Sequence, residues 1–168
     1  MNSGSQRASQ VPRSFEAEQV VLGITLVEPD TIARLMGRLT PDDFYDARHR
    51  TIFEPLSDSY RNVGVSLDIV TLSDRLVADE QMDQAGGRLY LNELMDRALT
   101  SASADYYVDI LREKTQRRAL LAAGNSLIDT ALAPRALAGD SRKQAEDSLH
   151  KASLALVTSP PRSVHFLS

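Results

Sequence analysis

Apolar residues recur three and four positions apart through most of this chain, the spacing of one face of an α-helix. The longest such stretch covers residues 103–133. It contains no Pro, and Gly124 is its one glycine. Pro134, Gly139 and Asp140 are expected to end it and turn the chain. Ser141 and Gln144 then have the spacing of a capping box, in which the hydroxyl accepts from the third amide and the Gln reaches back. Ala145, Leu149, Ala152 and Leu156 follow on one face of a second helix that runs to residue 157. The pattern predicts a helical hairpin over 101–157. An arm of some 30 residues spans about 45 Å, whereas a body built from the preceding ~100 residues has a diameter of roughly 35 Å. The arm should therefore project, and its apolar side chains need cover. A second copy of the hairpin is the economical partner. Leu120, Gly124, Leu127, Ile128, Leu132, Leu149 and Leu156 are the expected dimer contacts. Gly costs a helix interior about 1 kcal/mol relative to Ala, so two helices are expected to approach closely at Gly124.

The preceding residues, 14–100, read as about six short helices. Ser14 is a good N-cap, with Glu16 and Glu18 in the first turn, where the helix dipole favours anions. Val20, Val21, Ile24, Leu26 and Val27 supply that helix's apolar face. Asp30 is the expected cap of a second helix carrying Ile32, Leu35, Met36 and Leu39. Thr40-Pro41-Asp42-Asp43 is a further start signal. The 46–62 stretch has Ile52, Phe53, Leu56 and Tyr60 as its buried stripe, with Pro55 inside it, where a kink or a new helix start is expected. Asp68 should cap a helix with Leu72 and Leu76. Gly86-Gly87 precedes another with Leu89, Leu91, Leu94 and Met95. Of Tyr106 and Tyr107, one is expected against the body and one free for contact. No strand pair is evident, so the fold class is all-α. Residues 1–13 read as a disordered arm and 158–168 as the start of a linker ending in an apolar scrap, Val164 to Leu167.

Composition narrows the function. Among 168 residues 42% are hydrophobic, enough for a core, and 5% are aromatic. There is no Cys, hence no disulfide framework and no thiolate site, which fits a cytoplasmic location. No apolar run approaches the ~20 residues that span a bilayer. A net charge of −4 argues against a surface built to grip phosphates, so weak or no direct nucleic-acid binding is expected. None of the eight Gly residues precedes a Lys, so no Walker A loop is present and no nucleotide cofactor is expected in this chain. No catalytic or metal-ligating set has the right spacing. The densest polar cluster is Asp42, Asp43, Asp46 and His49. A metal or acid/base site is one reading; helix caps, first-turn acids and a mid-helix His is the reading the spacing favours. Arg112, Lys114, Arg117 and Arg118, diluted by Asp109 and Glu113, read as a solvated helix face.

Several motifs taken together resemble a known family. Ser14 to Gly23 (SFEAEQVVLG), Asp43-Phe44-Tyr45 with His49, Asp68 to Leu72 (DIVTL), Gly86-Gly87 with Tyr90-Leu91, and 100–114 with Tyr106-Tyr107 and Arg112-Glu113-Lys114 resemble, in order and spacing, the N-terminal domain of bacterial replicative DNA helicases of the DnaB family. The resemblance covers roughly residues 12 to 158. It implies a helical globule with a projecting hairpin that pairs, six copies forming a collar as a trimer of dimers. The collar sits on ATP-driven motor domains, and primase and, in some systems, a helicase loader dock on it. It also implies that Glu16, Tyr90 and Leu121 serve primase contact. The expected role is a collar and interaction domain that is non-catalytic alone. Its motor domain, with ATP and Mg, is not in this chain, and the apolar scrap suggests a fragment. A free-standing helical adaptor, such as a loader or inhibitor mimicking the collar, is the alternative; a DNA-binding module is a third.

Overall fold

The computed structural model describes residues 11–132 and 138–157, with side chains in the second stretch described at Lys143 and at 145–154. The described residues form seven α-helices and three single 3₁₀ turns. The helices are α1 (Phe15–Val27), α2 (Ile32–Leu35), α3 (Ala47–Val63), α4 (Ile69–Ala78), α5 (Gly87–Asp96), α6 (Ala104–Leu132) and α7 (Ala138–Val157). The all-α expectation holds. The arm at residues 1–10, the turn at Pro134, the Ser141 and Gln144 side chains, the Leu156 side chain and the 158–168 tail lie outside the described residues.

Helix α1 is the axis of the body. An apolar run without a polar side suits a helix covered all round. Ala17, Glu18 and every residue from Val20 to Leu26 are buried. The expected one-sided face is thus an all-round one, and Val27, counted in that face, is 49% exposed at the helix end. Helices α3, α5 and α6 pack around α1. Against α5 the approach is so close that a Cβ on Gly23 would stand 2.2 Å from the Leu94 carbonyl oxygen. Phe44, Phe53, Leu56, Leu72, Leu76, Leu91, Val108 and Leu111 complete the main core.

Local signals set most helix starts. Ser14 accepts from the Ala17 amide, and Asp68 accepts from the Thr71 amide at 2.8 Å. Thr40 and Asp43 form a capping box around one 3₁₀ turn, Pro41–Asp43. Other expectations need correction. Asp30 does not cap α2; it lies within a 3₁₀ turn, Pro29–Thr31, that runs directly into the helix. Pro55 starts no new helix, because α3 is one 17-residue element with Pro55 buried inside it. Leu89 is 72% exposed, so the buried stripe of α5 is Leu91 and Leu94. Gly139 and Asp140 fall within α7, which opens three residues ahead of the expected cap at Ser141. The tyrosine pair divides as expected, with Tyr107 against the core and Tyr106 66% exposed.

Helices α6 and α7 pack on each other as the hairpin. At ~1.5 Å rise per residue, α6 is about 43 Å long. Its first two turns belong to the body, with Ala104, Val108 and Leu111 buried; farther on, Ala123 is its one buried residue among those described. The distal half of α6 has α7 for company. There Ser126 and the buried Ser148 share a hydrogen bond of 2.9 Å across the hairpin. Leu120, Leu121, Ile128 and Leu132 on α6 and Leu149 and Leu154 on α7 are between 40% and 78% exposed.

Candidate functional site

The body holds one strongly organised polar constellation. Glu18 stands at the end of the first turn of α1 with no solvent exposure. A carboxylate there must be fully partnered. Its Oε1 accepts from the Tyr45 amide at 2.8 Å, and its Oε2 accepts from the Asp46 amide at 3.1 Å. The third partner is the equally buried His49, whose Nδ1 lies 2.6 Å from Oε2. The far nitrogen, Nε2, lies 2.6 Å from the Tyr90 hydroxyl. Gln19 adds a bond from its amide nitrogen to the same hydroxyl at 3.3 Å. One proton arrangement satisfies every group: Nδ1–H donates to Glu18, the Tyr90 hydroxyl donates to Nε2, and the phenolic oxygen accepts from Gln19. Imidazole and phenol planes lie 8° apart with centroids 5.9 Å apart. Outside, the Arg48 guanidinium caps the Tyr90 ring at 4.5 Å while also pairing with Asp46.

This arrangement breaks up the acidic cluster read from the sequence. Asp43 closes its capping box with Thr40, Asp46 caps α3 through the Arg48 amide, and His49 turns inward to Glu18. Among the described residues no group of three or more His, Asp or Glu is placed to hold a metal ion. Burial raises the Asp46 carboxyl, but the bonds from the Arg48 side chain and amide outweigh it and hold the group below its ordinary value. An open groove of about 480 Å³ between Glu28–Thr31 and Ser66, Asp68 and Thr71 shares none of the network's residues. Among the described residues no helix is long and apolar enough to cross a membrane.

Arg118 also departs from expectation. The basic stretch was read as a solvated face, and Arg117, paired with Glu113 at 2.6 Å, fits that description. Arg118 instead reaches back to the body. It donates to the Pro12 carbonyl at 3.0 Å and to the Asp42 and Asp43 carbonyls at 3.1 and 3.0 Å. Burial holds its pKa below the ordinary arginine value. The guanidinium ties the entering chain, the 3₁₀ turn before α3 and the root of the arm together.

The residues singled out for partner contact occupy different settings. Glu16 is exposed on the first turn of α1, Tyr90 is half-buried in the network, and Leu121 is 50% exposed one turn beyond Arg118 on the arm. Of the dimer residues, Leu120, Ile128, Leu132 and Leu149 are exposed and Leu127 is half-buried. At Gly124 a Cβ would meet nothing within 4 Å, so the two arms of one hairpin do not crowd there as expected. Glu18, Gln19, Arg48 and Arg118 were missed. No local signal singles out Glu18: Glu16 and Glu18 both precede the apolar run from Val20, and only Glu18 is buried.

The sequence matches the family described as DnaB-like helicase N terminal domain over residues 10–113. The chain belongs to this family. The replicative DNA helicase DnaB of Rhodothermus marinus is 40% identical over 115 residues, which are 67% of this chain and 12% of that protein. DnaB of Geobacillus stearothermophilus is 38% identical over 116 residues, 69% of this chain and 25% of the relative. The chain thus spans a quarter or less of these two DnaB proteins. Among solved structures, the N-terminal domain of DnaB helicase from Mycobacterium tuberculosis aligns with a TM-score of 0.76 at 33% identity, covering 84% of this chain and 99% of that one. A DnaB-like replicative helicase, determined together with its interactions with primase, aligns with a TM-score of 0.69 at 25% identity over 88% of this chain and 33% of the other. The DnaB N-terminal fold therefore extends past the family match into the hairpin.

Proposed function

We propose that this chain is the collar and interaction domain of a replicative DNA helicase, one that pairs through its hairpin, docks primase and performs no catalysis alone. The observation that carries the reading is the apolar surface of the arm. Leu120, Ile128 and Leu132 on α6 and Leu149 on α7 are exposed where the body does not reach. Two hairpins brought face to face form a four-helix bundle, the ordinary way to bury such stripes. A two-fold axis closes it. Leu127, Gly124 and Leu156 belong to the same contact, and the open space over Gly124 leaves room for a partner helix. In the full helicase three such dimers complete a six-membered collar above the motor domains, in the cytoplasm.

Primase is the proposed partner, with Glu16 and Tyr90 on the body and Leu121 on the arm as contacts. A DnaB-like helicase of the same fold is known with its interactions with primase. Light scattering over a concentration series tests the self-association: dimers are expected, and a chain that stays monomeric at tens of micromolar removes the reading's premise. Titration of cognate primase against the same material tests the docking, and absence of binding removes that half.

A further inference from the structure

We infer that Glu18 and His49 are positioning residues for Tyr90, holding its ring in the orientation that a docking partner reads. The inference rests on the proposal that the body docks primase through Tyr90. Its own ground is the one-dimensional chain of bonds from the interior to the surface. Glu18 is fixed by two backbone amides, those of Tyr45 and Asp46, so its carboxylate cannot rotate. That carboxylate fixes His49 through Nδ1 at 2.6 Å, and His49 fixes the Tyr90 hydroxyl through Nε2 at 2.6 Å. Each link is buried at its inner end, and Tyr90, half-buried, is the first member to reach solvent.

The outer side of the ring has a different character. Arg48 lies over it at 4.5 Å, and Leu89, the neighbour of Tyr90 on α5, is 72% exposed. The surface presented is therefore a phenol ring with a guanidinium over it, and Tyr and Arg are residue types enriched among the anchors of protein interfaces, where geometry fixed in advance lowers the cost of binding. Without the hydroxyl bond the ring is free to turn out of its near-parallel alignment with the imidazole, and Arg48 would lose its seat. Gln19, at 3.3 Å, offers a second and longer bond that cannot by itself set the ring plane.

Substitutions that cut the chain at different links test this. Tyr90→Phe removes the hydroxyl and leaves the ring, His49 and Glu18 in place. His49→Asn keeps a donor near the Nδ1 position for Glu18 but falls short of Tyr90. Tyr90→Ala removes the contact. Binding of cognate primase by calorimetry should weaken about three- to tenfold for Tyr90→Phe and His49→Asn, the worth of one hydrogen bond, and more for Tyr90→Ala. The ¹³Cζ resonance of Tyr90, identified by its loss in Tyr90→Phe, should move in His49→Asn in the free chain, which a purely structural role for His49 at a distance from the ring would not produce. If Tyr90→Ala weakens binding while Tyr90→Phe and His49→Asn bind like wild type, positioning is overturned and docking through Tyr90 stands. If Tyr90→Ala binds like wild type, docking through Tyr90 falls and positioning falls with it. Should His49→Asn fail to fold, Tyr90→Phe decides alone, because it leaves the buried pair intact.

Discussion

Glu18 accepts from three N–H groups: two backbone amides and an imidazole. A carboxylate suits three donors because both its oxygens only accept. Glu18→Gln swaps one oxygen for an NH₂ that faces donors at a site with no solvent exposure. The expected loss is about 3 kcal/mol. Thermal unfolding followed by circular dichroism would measure it, and a melting curve superposable on wild type would show that the network tolerates an amide. Asp68 makes a different kind of contribution at the start of α4. Bonds from the Thr71 amide and hydroxyl hold its carboxyl below the ordinary 3.8. A depressed carboxyl contributes stability that is present above the unfolded value and lost as pH falls through the folded one. Asp68→Ala should therefore melt lower than wild type at neutral pH, and the gap should close below pH about 3.8. A gap that stays constant down to pH 2.5 would contradict the assignment.

At the scale of helices, caps and breaks were legible where the signal is local. Ser14 and Asp68 act on amides three residues away, so sequence spacing alone locates them. The Glu18–His49–Tyr90 chain was not legible, because its links join residues 31 and 41 apart. Arg118 was misread for the same reason: its carbonyl partners lie 75 to 106 positions away. Pro55 shows the opposite limit: a strong local signal for a new helix start that the chain does not follow, since the residue is buried inside the single element α3. The two glycines in helix interiors have contrasting surroundings. Gly23 lets α1 meet α5, and an added Cβ would stand 2.2 Å from a backbone oxygen that has no side chain to move aside. Gly23→Ala should destabilise the body by about 3 kcal/mol, the upper end of the range for an overpacked core. Chemical denaturation measures it, and a change below 0.5 kcal/mol, on the order of a surface substitution, would mean the helices simply slide apart. Gly124 faces open space, so Gly124→Ala should stabilise the isolated hairpin by about 1 kcal/mol. If a partner helix occupies that space, the same variant should also weaken self-association. Stabilisation with unchanged dimerisation would place the contact elsewhere on the arm.

The whole molecule has two parts with different needs. The body closes on itself around α1, with Phe44, Phe53, Leu72 and Leu91 all free of solvent contact. The distal arm does not, since Ala123 on α6 and Ser148 on α7 are the described residues it buries. A stable interface takes roughly 800 Å² from each partner, an area that two exposed leucine stripes meeting across a two-fold axis can supply. Leu127 and Ile128 sit midway along this stripe, one half-buried and one 49% exposed. Replacing both with Asp would set charges against an apolar partner surface in which nothing pairs them. The body should be indifferent, because its link to the arm runs through Val108, Leu111 and Arg118, all before the altered turn. Dimers are thus expected to fall to monomers in light scattering, while the helical signal and the melting of the body persist. Dimers of unchanged strength would move the self-association surface off the arm. Loss of the body's cooperative melting would show that arm and body fold as one unit.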